Sequence, residues 1–110
     1  MLVAISIPVF SAQLEKAREA TDVANMRSAY AECSAAVLGD TTKAYAKKVD
    51  IRQTKDGWDS NPEKFANTID LTSDAVGSKL GETNSSVWVV VDQDGVTLAT
   101  SKGSATDIDE

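Results

Sequence analysis

The N-terminal third of the chain carries the pattern of one long helix. Eight of the first ten residues, MLVAISIPVF, are apolar, and no charged residue occurs before Glu15. From Val9 to Leu38 the chain contains no proline or glycine and is rich in alanine and long polar side chains, which favour helix. Gly39 then supplies a stop signal. We therefore expect a helix of about 30 residues, roughly 45 Å long.

The distribution of apolar positions divides this helix, residues 1–38, into two parts. Residues 11–28 are mostly polar or small, so we expect residues 1–25 to project from the rest of the molecule. Larger apolar side chains then recur at spacings of three and four, on one helical face: Met26, Tyr30, Cys33 and Val37. Residues 26–38 are therefore expected to pack on a globular head formed by residues 39–110, and helix and head together form one domain.

Proline at position 8 interrupts the apolar part of the predicted helix. Proline lacks a backbone donor and clashes with the carbonyl group four residues earlier in a helix. A kink or a locally melted turn is therefore expected between Ala4 and Pro8.

The head is predicted to contain a small antiparallel sheet. Alternating apolar residues suggest a first strand at residues 48–54. Val87–Val91 is a continuous apolar run, which predicts a strand covered on both faces. Asp92–Gly95 has the composition of a tight turn, and the strand that returns to Thr100 completes a hairpin. The expected fold class is α+β, with the long N-terminal helix packed against this sheet.

The remaining segments carry weaker signals. Short helical turns are expected at Asn61–Glu63, where proline follows a capping residue, and at Ser73–Val76, with Gly81 ending the second. Trp58 and Phe65 are expected to pin the long connection onto the sheet. The small, acidic tail of residues 101–110 is expected to be loosely ordered.

The segment LVAISIPVFSAQLEKAREATDVANMRSAYAE resembles the N-terminal helix of type IV pilins and type II secretion pseudopilins. It runs from Leu2 to Glu32, about a quarter of the chain. The matching features are the hydrophobic run with Pro8 inside it, the switch to polar residues after Phe10, and the AREATDVANMRSAYAE segment. The resemblance implies a pilin-like subunit that assembles through this helix into a helical cell-surface filament, used for adhesion, motility or related functions.

The resemblance also implies a truncated form and a set of partners. The family's processing site and early glutamate would lie upstream of Met1 and are not in this sequence. The implied partners are further copies in a helical filament, other pilins and the inner pilus assembly machinery. The missing upstream helix would hold the subunit in the cytoplasmic membrane before assembly.

Filament packing is expected to involve one set of helix residues: Ile5, Pro8, Val9, Phe10, Leu14, Glu15, Lys16, Arg18 and Glu19. The apolar members would contact neighbouring helices. The charged members could set the register between subunits, as charges flanking a coiled-coil seam do.

Charge and composition restrict the remaining possibilities. The net charge is −6; residues 1–55 hold eight basic and six acidic residues, whereas residues 56–110 hold three and eleven. The acidic half argues against binding a nucleic acid. The sequence has no histidine and one cysteine, which excludes a Ser-His or Cys-His pair, a Cys/His zinc site and an internal disulfide. No catalytic residue, cofactor or metal ligand is predicted, so an enzyme is the last choice.

Several alternatives stay open at this point. Cys33 is either a buried structural residue or a reactive thiol, and Asp92–Gly95 is either a plain turn or a calcium-binding loop. A pseudopilin of a type II secretion system is the second functional hypothesis. A free binding module, whose amphipathic helix docks on a partner or a membrane surface, is the third.

Overall fold

The computed structural model describes residues 2–60, 62 and 64–109, with helix side chains described from Gln13 onward. One long helix is followed by a four-stranded sheet, which confirms the α+β class. The elements in chain order are α1 (Leu2–Gly39), β1 (Tyr45–Asp50), a 3₁₀ turn (Gly77–Lys79), β2 (Ser86–Asp92), β3 (Gly95–Ala99) and β4 (Thr106–Asp107).

Helix α1 is longer at its start than the composition of residues 9–38 indicates. Its backbone is helical from Leu2 through Pro8, so the melted turn expected between Ala4 and Pro8 is not present in this single chain. The predicted packing roles of four residues concern side chains outside the described part: Ile5, Pro8, Val9 and Phe10. Gly39 ends the helix as expected.

The sheet has the strand order β3-β2-β1-β4. Strands β2 and β3 form the predicted antiparallel hairpin, with Asp92 paired to Gly95 at its turn. Strand β1 pairs antiparallel with β2 but occupies Tyr45–Asp50 rather than residues 48–54. The strand ends early because the amides of Arg52 and Gln53 donate to the Asp22 carboxylate of α1.

The core lies between α1 and one face of the sheet. Val87, Val89 and Val91 are buried on that face, next to Met26 and Cys33 of the predicted helix stripe. The intervening Trp88 and Val90 are only half-buried, so the expectation that both faces of β2 are covered is wrong. A single helix can cover one face, and an unbroken apolar run such as Val87–Val91 does not reveal which of its residues face the core.

The connection between β1 and β2 is pinned by its aromatic residues, as predicted. Phe65 is fully buried and meets the Tyr30 ring edge-on, with 5.9 Å between ring centroids. The Nε1 group of Trp58 donates a hydrogen bond of 3.0 Å to the carbonyl of Gly77. The Phe65–Ile69 bridge encloses a tight turn. The first predicted helical turn includes Asn61 and Glu63, which lie outside the described residues. The second predicted helical turn, expected to start at Ser73–Val76 and to end at Gly81, is a 3₁₀ turn at Gly77–Lys79.

The C-terminal tail is docked on the sheet, which corrects the expectation of loose order at residues 101–110. Thr106 and Ile108 donate backbone hydrogen bonds of 2.9 and 3.0 Å to the carbonyls of Ala44 and Ala46. Ala105 is buried, and Ile108 packs against the core. Two apolar residues and an open strand edge are sufficient to hold this acidic segment, although it carries no extended hydrophobic pattern.

Candidate functional site

The inward face of helix α1 carries three acidic side chains in its N-terminal half. Glu15, Glu19 and Asp22 follow one another at spacings of four and three, which place them on one side of a helix. All three are buried, with 4%, 1% and 0% of their surface exposed. Burial of a carboxylate is costly unless hydrogen bonds satisfy it, so this row requires donors from elsewhere in the chain.

The donors come from residues 52–60, which follow strand β1. Asp22 accepts from the amides of Arg52 and Gln53 at 2.8 and 2.9 Å. Glu15 accepts from the amide of Thr54 at 3.1 Å and from its hydroxyl at 2.8 Å. We call Glu15, Glu19 and Asp22 the carboxylate clamp, and residues 52–60 the clamped segment.

Glu19 makes the third set of bonds in the clamp. Its carboxylate accepts from the amides of Asp59 and Ser60, each at 2.8 Å, and from the Ser60 hydroxyl at 2.7 Å. The clamped segment contains no helix or strand. Its amide groups therefore need acceptors from outside regular structure, and the clamp supplies them along one helical face.

The three carboxyl groups do not share one electrostatic environment. Burial acts to raise the pKa of Glu15, but the hydrogen bonds from Thr54 and the neighbouring Arg18, at 3.3 Å, bring that pKa below its ordinary value. Burial raises the pKa of Asp22, and the two amides that donate to it offset only part of this effect. The clamp therefore contains one carboxyl group that favours its charged form and one that does not.

The outward face of α1 carries many small residues. Leu14 is 42% exposed, and Lys16, on a different side of the helix, is exposed as well. Further along the helix the exposed positions include a row of alanines: Ala17, Ala20, Ala24, Ala31 and Ala35. Small side chains allow another helix to approach closely. This face, from Leu14 to Ala35, is the candidate assembly surface.

The structure changes the interpretation of the predicted charged residues. Glu15 and Glu19 are engaged inside their own chain, so α1 packs on its own head from Glu15 onward rather than from Met26. The projection expected for residues 1–25 does not apply to this part, because the clamped segment covers it. Leu14, Lys16 and Arg18 reach the surface, Arg18 while pairing with Glu15. Their contact with neighbouring subunits stays a prediction.

Sequence reasoning missed Asp22 and the clamped segment. The available signal is the spacing of Glu15, Glu19 and Asp22 on one helical face, whereas Glu15 and Glu19 were expected to set the register between subunits. Three acids aligned in this way can also accept hydrogen bonds from the backbone amides of a polar segment that lacks regular structure.

The contacts of Cys33 and Asp92 are those of residues that support the fold. Cys33 is fully buried, its Sγ lies 3.8 Å from the Val89 carbonyl, and burial raises the pKa of its thiol to about 11. This favours the structural interpretation of Cys33. The Asp92 carboxylate accepts from the amides of Asp94 and Gly95 at 2.9 and 3.1 Å, which holds the hairpin turn. Within the described residues, no group of three or more acidic, histidine or cysteine side chains could hold a metal ion.

In the described part of the chain, no helix has the length and apolar character needed to cross a membrane. Comparison with family models, with curated proteins and with solved structures found no match for this chain. The fold and the clamp therefore rest on the structure itself.

Proposed function

We propose that this chain is the structural subunit of a type IV pilin-like filament and assembles through helix α1. The observation that carries the proposal is the size of α1 relative to the molecule. The molecule measures 61 × 26 × 21 Å, and the 38 residues of α1 correspond to about 57 Å. The helix therefore defines the long axis, as expected for an element that packs against copies of itself.

The packing of α1 on the head supports the same function. The first buried helix residue among the described side chains is Glu15, and Leu2 lies 13 residues earlier, about 20 Å along the axis. The clamp anchors the head beside this extension. A filament subunit needs such a rigid connection, because force on the head must reach the helix without opening the domain.

The composition of the outward face is a second support. Exposed alanines line α1 on the side away from the sheet, and three of the four acidic residues of the helix point inward. Helices from neighbouring subunits can therefore approach closely with little repulsion between carboxylates. A solitary soluble domain has no comparable need for a long exposed face of small residues.

Immunogold electron microscopy of the source cells tests the proposal. Antibodies raised against the head should label filaments at the cell surface. Labelled filaments that stay short and lie beneath the outer surface would instead favour a secretion pseudopilin. Label on single molecules alone, without any filament, would exclude both filament functions.

A matched pair of substitutions connects the filament to the helix face. Ala24→Arg places a long charged side chain on the exposed face of α1 and should abolish labelled filaments while the subunit remains folded and present in the cell. Thr97→Arg makes the same kind of change on the exposed face of β3 and should leave filaments in place. Equal filament numbers in both variants would contradict assembly through the helix.

A further inference from the structure

Two large hydrophobic side chains are exposed in the described part of the molecule, and they lie near opposite ends of the part of α1 whose side chains are described. Leu14 is 42% exposed and Leu38 is 83% exposed. Isolated exposed leucines are ordinary on protein surfaces. These two differ from ordinary cases because each lines a groove, and the two grooves carry opposite charges.

The groove around Leu14 is basic. It has a volume of about 560 Å³ and is lined by residues of α1 and of the clamped segment: Leu14, Ala17, Arg18, Thr21, Arg52 and Thr54. Its charged lining residues in the described part of the chain are two arginines: Arg18, which pairs with Glu15 at 3.3 Å, and Arg52, which is exposed. The Glu15 carboxylate that pairs with Arg18 also accepts from the amide of Thr54, and Glu15 is 4% exposed. We call this the basic groove.

The groove around Leu38 is acidic. Its volume is about 420 Å³, and it lies between the C-terminal end of α1 and the β2–β3 turn. Tyr30, Val37 and Leu38 supply its apolar part, and Asp92 and Asp94 supply its charge. The C-terminal end of a helix adds partial negative charge from its free carbonyl groups. We call this the acidic groove.

The two grooves are held at a fixed separation. Leu14 and Leu38 are 24 residues apart on one continuous helix, which corresponds to about 36 Å along the axis. A contact between the basic groove of one copy and the acidic groove of the next uses two different surfaces. When the helices of the two copies point the same way, such a contact continues from copy to copy.

We propose that the basic groove around Leu14 binds the acidic groove around Leu38 of a second copy, so that subunits stack head to tail along the helix axis. Opposite charges at the rims attract the two grooves, and the exposed leucines give each surface an apolar centre. In this arrangement the partner of the assembly surface is a second copy of the chain. The biological setting of the contact rests on the proposed filament function. It predicts a distance of about 36 Å between stacked copies.

A charge exchange in the purified chain tests the contact. The variants are R52E, D94K and R52E/D94K, studied by sedimentation velocity at millimolar concentration and low salt. Each single variant should weaken self-association about fivefold or more, because like charges then face one another. The double variant should restore it, since the charges are exchanged across the same contact.

Matched controls separate this contact from general charge effects. K79E and E82K reverse exposed charges outside both grooves and should leave self-association unchanged. Leu38→Ser should weaken self-association. Added salt should also weaken the self-association of the wild type, and by more than the substitutions of the double control K79E/E82K do.

The results distinguish this inference from the filament proposal. A wild type that stays monomeric, a closed dimer, or a double variant that is no better than the singles would overturn the stacking. Immunogold-labelled filaments that persist in R52E would also overturn it, while leaving the filament function intact. Stacking in solution without filaments on cells would refute the function and support the contact.

Discussion

At the scale of single residues, the most consequential side chain is Glu19. It lies in the middle of the clamp, is 1% exposed, and accepts three hydrogen bonds from Asp59 and Ser60. No sheet hydrogen bond competes for these donors, because the clamped segment lies outside the sheet. Glu19 is therefore the residue on which attachment of this segment to α1 depends most.

Glu19→Gln should lower the free energy of unfolding by about 1–3 kcal/mol, because the new NH₂ group faces donors that then lack an acceptor. Urea unfolding measures the loss, and amide exchange of Asp59 and Ser60 should become faster at the same time. Glu32→Gln on the same helix is the control. Glu32 is exposed and contacts Lys47 at 3.5 Å, so its loss should cost less than about 1 kcal/mol. Equal effects of both substitutions would contradict the role of the clamp.

The clamp also makes a prediction about pH. The pKa of Glu15 is lowered in the folded chain, so its stabilising contribution is present above the ordinary glutamate pKa and is lost as pH falls through the folded value. The pKa of Asp22 is raised by burial, so its contribution is present below the ordinary aspartate pKa and is lost as pH rises through the folded value. The two residues should therefore respond to acid in opposite directions.

Urea unfolding at about pH 7 and about pH 2.5, on either side of the ordinary carboxyl pKa range, measures this difference. The advantage of the wild type over Glu15→Gln should shrink on acidification. Its advantage over Asp22→Asn should grow. The same direction of change in both comparisons would show that the environments of the two carboxyl groups are assigned incorrectly.

At the scale of elements, the C-terminal tail acts as a strand although it has only two ladder residues. Strand β4 pairs in parallel with the start of β1, and Lys47 holds Asp109 at 3.1 Å. Parallel pairing of so short a strand contributes little by itself. The burial of Ala105 and the packing of Ile108 supply most of the attachment.

Ile108→Ser should lower the free energy of unfolding by about 1–2 kcal/mol through lost apolar contact. Asp109→Asn, next to it in sequence, removes only a surface ion pair and should cost less than about 1 kcal/mol. Thermal unfolding of both variants gives the comparison. A loosely ordered tail would instead give two variants that match the wild type.

Sequence reasoning succeeded where patterns are local. The stripe at Met26, Tyr30, Cys33 and Val37 repeats at helical spacing, and the β2–β3 hairpin has a turn signal between two apolar runs. Both can be recognised within a short window of residues. Their packing against one another then follows from the need to bury both apolar faces.

The clamp and β4 could not be predicted in the same way. Glu19 and Ser60 are 41 residues apart, and no local pattern links a polar helix face to a distant polar segment. Asp22 looks like a solvated helix residue until its partners are known. The tail contains one buried alanine and one isoleucine, which is too little apolar sequence to distinguish a docked strand from a free end.

At the scale of the whole molecule, acidic and basic side chains are distributed differently over α1 and the head. The chain has a net charge of −6, yet α1 turns three of its acids inward and leaves Lys16 and Arg18 on the outside. The acidic residues that remain exposed belong mainly to the head. The molecule is elongated and combines a helix face of small residues with a basic groove and an acidic groove.

Helical reconstruction of filaments from the source cells, at a resolution that shows side chains, tests assembly through α1 most directly. We predict that α1 lies toward the filament axis, with Leu14 and the exposed alanines buried between subunits and the sheet facing outward. A reconstruction in which residues 13–24 of α1 face solvent, or in which the filament contains no copy of this chain, would contradict the account.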